Sequence, residues 1–403
     1  MYSLILKLAW KNSLIRVQRT LLVVIMIAVS MSLMLGLQGL YDGMIVDMVD
    51  KAKRSDSGDI AIYAKDYRVQ RDIKYTINNA QEIKNRLKNN PKITAVTSRL
   101  KVDGLTSTAR KSSFSSVIGI DLDEENRFGR FSEFVKSGEI KLDKKGCIVG
   151  LELAKKLKLH IGSKLIFSTQ DISGDINSMA LRVRATIQTT NIEIDNLGLY
   201  VDMKKLQDFL GTSPNQVTQI AIMSEDKTLH VELKNSYPNL DVMTFLELQP
   251  MLEMFKEMTH KFNQVTFFII MGVVFIGIFG VMYVAILDRI REFGIVLSIG
   301  MQYKYIRFQI ILESIFLGLF GYVVGVIFGL VLLIYLQEHG LNLTSYSDAL
   351  EMWGFSSVIY GTIKLSYFTN TFFAIMSASV LSVLIPLQKI KKLHPIDVIK
   401  ADK

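Results

Sequence analysis

Four long apolar segments dominate the sequence, and a short charged stretch separates the second from the third. The apolar segments are Thr20–Tyr41, Phe262–Leu287, Phe308–Leu336 and Leu365–Leu387, and three of the four carry no charge. A helix of about 20 apolar residues is enough to cross the hydrocarbon core of a membrane. The pattern therefore predicts an α-helical membrane protein with four transmembrane helices.

The charged stretch Asp288–Arg307 is predicted to form an amphipathic helix. Counted from Arg291, one face carries an apolar set at helical spacing: Phe293, Val296, Leu297, Gly300 and Met301. Gly300 is placed to end the helix, and charges crowd its start: Asp288, Arg289, Arg291 and Glu292. Such a segment is expected to lie flat beneath the membrane and to offer its polar side to a soluble partner.

Residues 42–261, between the first two apolar segments, alternate strand-like and helix-like patterns. The predicted strands are Asp59–Ala64, Ile93–Val102, Ser113–Ile120, Lys164–Ser168, Leu181–Thr189, Leu199–Asp202 and Gln219–Met223. The predicted helices are Asn79–Lys88, Glu152–Leu157 and Lys204–Phe209, and Thr169–Ala180, which contains Gly174, is predicted as a polar loop. The sequence thus predicts a large α+β extracytoplasmic domain inserted between helices one and two.

Both flanks of this domain continue an apolar spacing of three and four residues. The positions are Leu37, Tyr41, Met44 and Met48 on one side and Met251, Phe255, Met258 and Phe262 on the other. This spacing predicts that the two flanks pair as a short coiled-coil stalk.

The distribution of charge predicts the topology. Residues 1–19, 288–307 and 388–403 carry +4, +2 and +3, which account for the whole net charge of +9, and Lys364 alone represents Lys or Arg in residues 337–364. Short basic flanks mark the cytoplasmic side, so both termini are expected inside and the large domain outside. The predicted boundaries are 1–19 for an interfacial helix, 20–41, 262–287, 308–336 and 365–387 for the transmembrane helices, 42–261 for the outer domain, 288–307 for the inner amphipathic helix, 337–364 for an outer loop and 388–403 for a basic tail.

The N-terminal residues 2–15 have the pattern of a basic amphipathic helix. Its apolar positions fall roughly on one side, with Trp10 near the interface: Leu4, Ile5, Leu8, Ala9 and Ile15. This composition is typical of a helix lying in the headgroup region, although an ordinary positive flank would give the same topology. The apolar run that follows is too long for a signal peptide and no small-residue cleavage site comes after it, so we interpret it as an uncleaved first membrane helix.

Small residues and one carboxylate stand out within the predicted spans. Gly318, Gly321, Gly325 and Gly329 recur in the third span, which predicts close packing on another helix. Glu313 lies near the start of the same span. A carboxylate inside a membrane points either to a structural pairing with a basic residue or to a role in transport, and the sequence leaves both open.

Several kinds of chemistry lack the motifs that they need. The sequence contains no phosphate-binding glycine motif, its five histidines show no metal-ligand spacing, and Cys147 is its only cysteine. A single intramembrane charge without an inverted repeat is a poor fit to an autonomous secondary transporter. We therefore expect no metal, no catalytic residue, no bound cofactor and no nucleic-acid partner, and an energy source outside this chain.

Three features carry a resemblance to the FtsX/MacB-type ABC transporter permeases. Arg291-Glu292-Phe293-Gly294 through Gly300, followed by Tyr305-Ile306 and Glu313, resembles the family signature, and residues 393–399 resemble its closing run. One long outer domain after helix one, followed by three clustered helices, is also the family layout. Within the family, Gly36–Tyr67 and Ile148–Leu165 look most like the lipoprotein-releasing permeases.

The resemblance implies a non-catalytic permease subunit in the inner membrane. It would pair with a second permease, identical or different, and with an ABC ATPase dimer that holds ATP and Mg²⁺. The coupling residues would be Asp288, Arg289, Arg291, Glu292, Phe293, Gly294 and Gly300.

For lipoprotein release, the resemblance further implies a cavity for acyl chains and a docking loop for a periplasmic carrier. The cavity would lie between helix one of one subunit and helix two of the other, lined by Met31, Met34, Leu35, Phe267, Met271 and Phe275. The loop would offer Thr169, Asp171, Gly174 and Asp175, although here it is short and contains no proline. Two alternatives remain open at this stage: a MacB-like exporter of peptides or toxins, and an FtsX-like scaffold that regulates a cell-wall hydrolase. The size of the outer segment argues against the scaffold.

Overall fold

Four helices of the computed structural model are long and apolar enough to span a membrane. The structure describes residues 2–15, 17–143, 145–189, 191–226, 228–347, 350 and 355–391. The helices are α1 (Tyr2–Ile15), α2 (Val17–Ser55), α3 (Tyr67–Gln70), α4 (Ala80–Lys88), α5 (Leu122–Gly129), α6 (Leu151–Leu157), α7 (Ile192–Leu197), α8 (Met203–Leu210), α9 (Leu229–Ser236), α10 (Phe245–Leu248), α11 (Pro250–Asp288), α12 (Ile290–Ser298), α13 (Tyr303–His339) and α14 (Leu365–Lys391). The candidate spans lie in α2, α11, α13 and α14. The predicted number of transmembrane helices is confirmed.

The described chain forms two units. The membrane unit comprises Met1–Ile45, Lys256–Leu343 and Val358–Lys403, and the outer unit comprises Val46–Phe255 and Thr344–Ser357. Helices α2 and α11 each contain 39 residues, or about 58 Å at 1.5 Å per residue, which is well beyond the roughly 30 Å of a hydrocarbon core. Each therefore continues as a helix outside its membrane span.

Glycines of α13 allow two neighbouring helices of the membrane unit to approach closely. A Cβ atom added at Gly321 would lie 2.6 Å from Ile27, and one at Gly325 would lie 2.8 Å from the Met31 sulfur. Gly329 faces Leu35 of α2 in the same way, and Gly318 faces Ser379 of α14. Because a larger side chain would push these backbones apart, the glycines place α13 between α2 and α14.

The connection between α13 and α14 packs its backbone on α2. The Thr362 N–H donates to the Gly39 carbonyl oxygen at 3.0 Å, and a side chain at Gly43 would collide with the Tyr360 carbonyl oxygen. The Asp42 carboxylate accepts hydrogen bonds from Lys364 and from the Tyr367 hydroxyl. The Gly361 N–H donates to the Leu336 oxygen of α13 at 3.0 Å, so directional polar contacts tie together the outer ends of α2, α13 and α14.

The outer unit is built on a large mixed sheet. Its strands are β1 (Ile60–Ala64), β2 (Ala95–Ser107), β3 (Ser112–Ile120), β4 (Val135–Gly138), β5 (Gly146–Gly150), β6 (Lys164–Gln170), β7 (Ile176–Ile187), β8 (Gly198–Asp202), β9 (Gln219–Met223) and β10 (Leu240–Thr244). The order is β10-β1-β9-β2-β3-β8-β5-β7-β4, and β6 pairs with β2 and β7. The short helices cover the sheet and complete its apolar cores. The predicted α+β domain between the first two spans is confirmed.

The predicted polar loop Thr169–Ala180 is wrong over most of its length. β6 continues to Gln170 and β7 begins at Ile176, with Thr169 paired to Asn177 across the hairpin. Only the tip, residues 171–175, is a turn. The polar side chains misled the prediction because they lie on an exposed strand face, where the Ser168 and Ser178 hydroxyl groups hydrogen-bond at 2.8 Å.

The predicted coiled-coil stalk is also corrected. Met251 and Met258 are 74% and 61% exposed, whereas knobs of a coiled coil are buried. Within the membrane unit the Tyr41 and Phe262 rings do meet, with centroids 5.9 Å apart. The apolar positions of both flanks thus lie on helices, but most of those on α11 face outward.

Helix α1 packs on α13 through a narrower face than the sequence suggests. Ile5 and Ala9 are buried, whereas Leu8 is 40% exposed. The Trp10 ring meets Phe316 and Phe320 edge-on at 5.3 and 5.2 Å. The side chains of Leu4 and Ile15, the tail from residue 392 onward and its resemblance motif lie outside the described residues.

Candidate functional site

The charged stretch between α11 and α13 forms a separate short helix, α12, that packs on the membrane unit. Phe293 and Gly294 are buried, and Val296, Leu297 and Met301 pack against the same apolar core. The helix ends as a Schellman motif: the Met301 N–H donates to the Val296 oxygen at 3.2 Å and the Gly300 N–H donates to the Leu297 oxygen at 3.0 Å. Gly300 has a φ of 97°, a backbone conformation that favours glycine.

An ion pair joins the start of α12 to α13. Arg289 Nη1 lies 3.0 Å from both carboxylate oxygens of Glu313, whose side chain is 9% exposed. Asn12 Nδ2 and Gln309 Nε2 donate to the same carboxylate at 2.8 and 3.1 Å. Arg289 also lies over the Phe293 ring at 5.0 Å. Glu313 is thus paired with a basic residue, as the structural interpretation of this intramembrane carboxylate requires.

A second ion pair joins the beginning of α2 to the end of α11. Arg19 Nη2 lies 2.6 Å from the Asp288 carboxylate. Next to these pairs lies an open cavity of about 200 Å³ with a mixed polar and apolar lining: Asn12, Arg19, Thr20, Val281, Met282, Ala285, Arg289, Glu292, Glu313 and Leu317. α1, α2, α11, α12 and α13 therefore meet around one charged cluster.

The outward side of α12 combines charged and apolar side chains. Glu292 has a side chain 66% exposed, and Arg291 is exposed as well. Ile295 and Ile299, one helical turn apart, are 50% and 81% exposed. Our sequence analysis missed these two isoleucines, although their position opposite the buried apolar set is a signal that could have found them. Together with Glu292 they form a surface suited to a protein partner with an apolar groove.

The predicted coupling residues fall into two groups in the structure: some face outward and others do not. Arg291, Glu292 and Gly300 are exposed, whereas Phe293 and Gly294 are buried in the helix packing. The Arg289 side chain, 16% exposed, turns inward to Glu313, and Asp288 pairs with Arg19. Arg289 therefore holds α12 to α13, and Asp288 holds the end of α11 to α2.

Comparison with known proteins identifies the architecture that carries this site. The model of the FtsX-like permease C-terminal domain matches residues 265–395. The model of the MacB-like periplasmic core domain matches residues 20–236, which is more than half of the chain. The chain belongs to the FtsX/MacB family of ABC permeases.

The individual proteins that resemble the permease share little sequence identity with it. It is 22% identical to the lipoprotein-releasing system transmembrane protein LolE of Haemophilus influenzae over 353 residues, which cover 81% of this chain and 82% of LolE. Among solved structures it is similar to the periplasmic region of MacB from Actinobacillus actinomycetemcomitans (17% identity, 48% of this chain and 92% of that one, TM-score 0.33). It is also similar to the extracellular domain of the ABC-type transporter YknZ from Gram-positive bacteria (13% identity, 47% and 100%, TM-score 0.32).

The residues predicted to line an acyl-chain cavity do not lie together on an open surface of the permease. Met31, Met34, Leu35 and Met271 are buried in the apolar core of the membrane unit, and Phe267 and Phe275 are half-buried. Met31 and Leu35 fill the space above glycines of α13. These side chains therefore serve helix packing within the subunit, and the predicted cavity between two subunits stays a prediction.

The residues predicted to dock a carrier lie at and next to the tip of the β6–β7 hairpin. Asp171 closes the turn by accepting the Ser173 N–H at 2.8 Å and the Asn177 amide at 2.7 Å, and Gly174 has a φ of 91°. Thr169 Oγ1 donates to the Asp103 carbonyl oxygen at 2.7 Å, and Asp175 ends the turn. The beginning of the turn is anchored by the Ile172 N–H, which donates to the Leu210 oxygen at 3.1 Å. The hairpin therefore has a firmly held tip.

Metal binding and nucleophilic thiol chemistry find little support in the described part of the permease. Its His, Cys, Asp and Glu side chains form no group of three that could hold a metal ion. Burial raises the pKa of the Cys147 thiol to about 12, which leaves it protonated and a poor nucleophile at neutral pH. The charged cluster around α12 is built to hold helices and to present a surface.

Proposed function

We propose that this permease is the membrane subunit of an ATP-driven complex that extracts lipoproteins from the outer leaflet of the inner membrane and passes them to a periplasmic carrier. The observation that carries the proposal is the similarity to LolE, which extends over four-fifths of both chains. The likeness thus covers the membrane helices and the outer domain together.

In this proposal the energy enters through α12. Family membership implies an ABC ATPase and a partner permease in one complex, and the ATPase subunits would bind ATP and Mg²⁺. The exposed Glu292, Ile295 and Ile299 supply a mixed apolar and charged surface for the ATPase groove. Because Arg289 joins α12 to α13 and Arg19 joins α2 to α11, a displacement of α12 would be passed on to these helices. The substrate would be moved by the outer part of the complex without crossing the whole membrane.

The same proposal assigns the partners on the outer side. With the basic flanks in the cytoplasm, the large domain would lie in the periplasm of a two-membrane cell. A second permease subunit, identical or different, would complete the acyl-chain site. The hairpin tip at residues 171–175 is the surface that we assign to carrier docking, because its turn is held by the hydrogen bonds of Asp171.

Reversing the two exposed charges of α12 tests the coupling role. The variant Arg291→Glu with Glu292→Arg is expected to lower substrate release at least about tenfold, the effect of about 1.4 kcal/mol of coupling free energy. The ATPase rate of the reconstituted complex should no longer respond to substrate. The matched control, Lys204→Glu with Asp208→Lys on the exposed side of α8, also leaves the net charge unchanged. Wild-type release and substrate response in the α12 variant would contradict the role.

Depleting the permease in cells tests the substrate class. Lipoproteins destined for another membrane are expected to accumulate in the inner-membrane fraction, and this is measured by fractionation and labelling of acylated proteins. Re-expression of the wild-type chain should restore their distribution, and the α12 charge-reversal variant should not. An unchanged distribution after depletion would refute lipoprotein release.

The match to the MacB core domain favours a second candidate, an exporter of peptides or toxins that works with a periplasmic adaptor. Purification of the complex from native membranes separates the two. Co-purification of acylated protein supports lipoprotein release, and co-purification of an adaptor supports export. Recovery of a cell-wall hydrolase instead would support the FtsX-like scaffold.

A further inference from the structure

A buried cluster of charges in the outer unit surrounds the end of α2. Arg99 of β2 is 1% exposed and holds Glu125 of α5 with two hydrogen bonds, Nε to Oε1 and Nη2 to Oε2, both 2.7 Å. A third nitrogen of the same guanidinium donates to the carbonyl oxygen of Asp56, the residue that follows α2. Lys101 of β2 pairs with the Asp56 carboxylate. We call Asp56, Arg99, Lys101 and Glu125 the α2 clamp.

Stability alone does not account for these buried charges. The free energy of removing two charges from water offsets much of their mutual attraction. Apolar residues of similar volume therefore often stabilise a protein equally well or better. A bidentate pair adds a fixed geometry that apolar packing does not impose. Burial by itself would raise the pKa of Asp56, but Lys101 and Arg99 outweigh it and hold the pKa below its usual value. The clamp therefore remains charged and directional.

The last turn of α2 is held by further contacts within the outer unit. Arg54 Nη1 lies 2.7 Å from Glu133, and its guanidinium stacks over the Phe134 ring at 5.7 Å. Lys53 Nζ lies 2.8 Å from Asp59. The Arg54 carbonyl oxygen packs so closely against Gly129 that no side chain fits at that position. The end of α2 is thus fixed to β2, to α5 and to the segments that follow α2 and α5.

The beginning of α11 is attached in a different way. Gln249, between α10 and α11, has a non-helical backbone (φ −125°, ψ 62°), and α11 starts afresh at Pro250, a residue that suits the first turn of a helix. Met251 and Met254 are 74% and 72% exposed, and Leu246 of α10 is 44% exposed. The Phe255 ring meets the Phe355 ring with centroids 5.3 Å apart, an apolar contact without the fixed direction of the clamp, and one peptide unit without helical geometry separates this end from α10.

We infer that the outer unit is fastened to α2 by the α2 clamp and hinged to α11 at Gln249, so that α2 is the helix that carries a displacement into the outer unit. The inference rests on the proposed function only for the purpose of that displacement. The clamp makes Asp56, Arg99, Lys101 and Glu125 positioning residues for the transport cycle. None of them needs to touch the substrate.

Distances between spin labels test the inference without any substrate. One pair joins α2 to the outer unit (Val46→Cys with Asp208→Cys), and the other joins α11 to the same reference point (Met254→Cys with Asp208→Cys). Val46 and Met254 are exposed, and the native Cys147 is fully buried and should not react. Measurements compare the complex free of nucleotide with the complex trapped by ATP and orthovanadate. The α2 pair should keep one narrow distance, and the α11 pair should shift; equal shifts in both pairs would overturn the inference.

Removing the buried pair tests its contribution to transport. In the variant Arg99→Met with Glu125→Leu, we expect substrate release to fall about tenfold at an unchanged ATPase rate, and the distance distribution of the α2 pair to broaden. The matched control, Lys84→Met with Glu124→Leu, removes another mostly buried ion pair of α5, 2.9 Å long, that does not involve α2. Release within twofold of the wild type in the clamp variant would overturn the role.

The two experiments also separate the clamp from the proposed function. If the wild-type complex releases no lipoprotein but its label pairs behave as expected, the attachment of α2 to the outer unit is supported and lipoprotein release is refuted. If release is normal but both label pairs shift equally, the role of the α2 clamp is refuted and lipoprotein release is supported. Should the clamp variant fail to fold, the label distances in the wild-type background still decide the question.

Discussion

The variant Arg289→Met is expected to destabilise the folded permease by about 3–5 kcal/mol, the usual cost of leaving one partner of a buried ion pair without the other. Glu313 would keep its two amide donors, Asn12 and Gln309, but would lose its counter-ion at a site where its side chain is 9% exposed. The effect should appear as a lower thermal midpoint in detergent and a lower yield of monodisperse protein.

A double variant separates this cost from a general effect of the substitution. In Arg289→Met with Glu313→Met the buried charge is gone, and most of the lost stability should return, because an apolar pair of similar volume often replaces a buried ion pair without loss. The α12 surface would remain, so ATPase binding should persist. A single variant as stable as the wild type would show that the Arg289–Glu313 pair does not hold α12.

The variant Gly325→Leu is expected to have the second largest effect. Even the Cβ atom would lie 2.8 Å from the Met31 sulfur and 3.3 Å from the Ala28 Cα atom, so α2 and α13 would have to separate. Overpacking of a well-filled interior costs about 1–3 kcal/mol and occasionally more. Because Gly321 and Gly329 belong to the same contact, we expect the upper end of this range, measured as a loss of thermal stability and of folded yield.

Gly280 of α11 provides the matched control for Gly325. It is also a glycine in a membrane span, but a Cβ atom there has nothing within 4 Å. Gly280→Leu should therefore leave the isolated subunit as stable as the wild type. Equal losses in the two variants would mean that glycine matters to these helices for a reason other than the contact with α2.

Apolar patterns in the sequence predicted some strands of the outer domain closely. The strand predicted at Gln219–Met223 matches the observed one to the residue, and the strand at Ile60–Ala64 begins one residue later than predicted. The strands that were not predicted lack such a pattern. β5, Gly146–Gly150, is buried throughout and begins and ends in glycine, so it shows no alternation of apolar and polar positions and its ends have the composition of turns. β10 is a short edge strand with mixed burial.

The candidate site was harder to predict because membrane helices are apolar on every side. Periodicity cannot tell which apolar positions of α2 meet a sister helix, and Met31 and Leu35 were therefore assigned to a cavity. The direction of the Arg289 side chain could not be predicted for a different reason. Arg289 precedes α12 and has a non-helical backbone (φ −106°, ψ 10°), so helical spacing counted from Arg291 does not apply to it. Its partner Glu313 is 24 residues away, and only the packing of α12 against α13 brings the two together.

The polar ties at the outer ends of α2, α13 and α14 reduce the number of ways in which the membrane unit can deform. Thr362 holds the backbone of α2 at Gly39, and Lys364 and Tyr367 hold Asp42, so these three helices share one set of directional bonds. By contrast, α11 meets the core through aliphatic side chains, Met271, Val274, Ile278, Met282 and Ile286, whose contacts have no preferred direction. At this end of the membrane unit the polar ties therefore restrain α2, α13 and α14 against one another, whereas α11 meets α2 there through the Tyr41 and Phe262 rings and forms its ion pair with Arg19 at the opposite end.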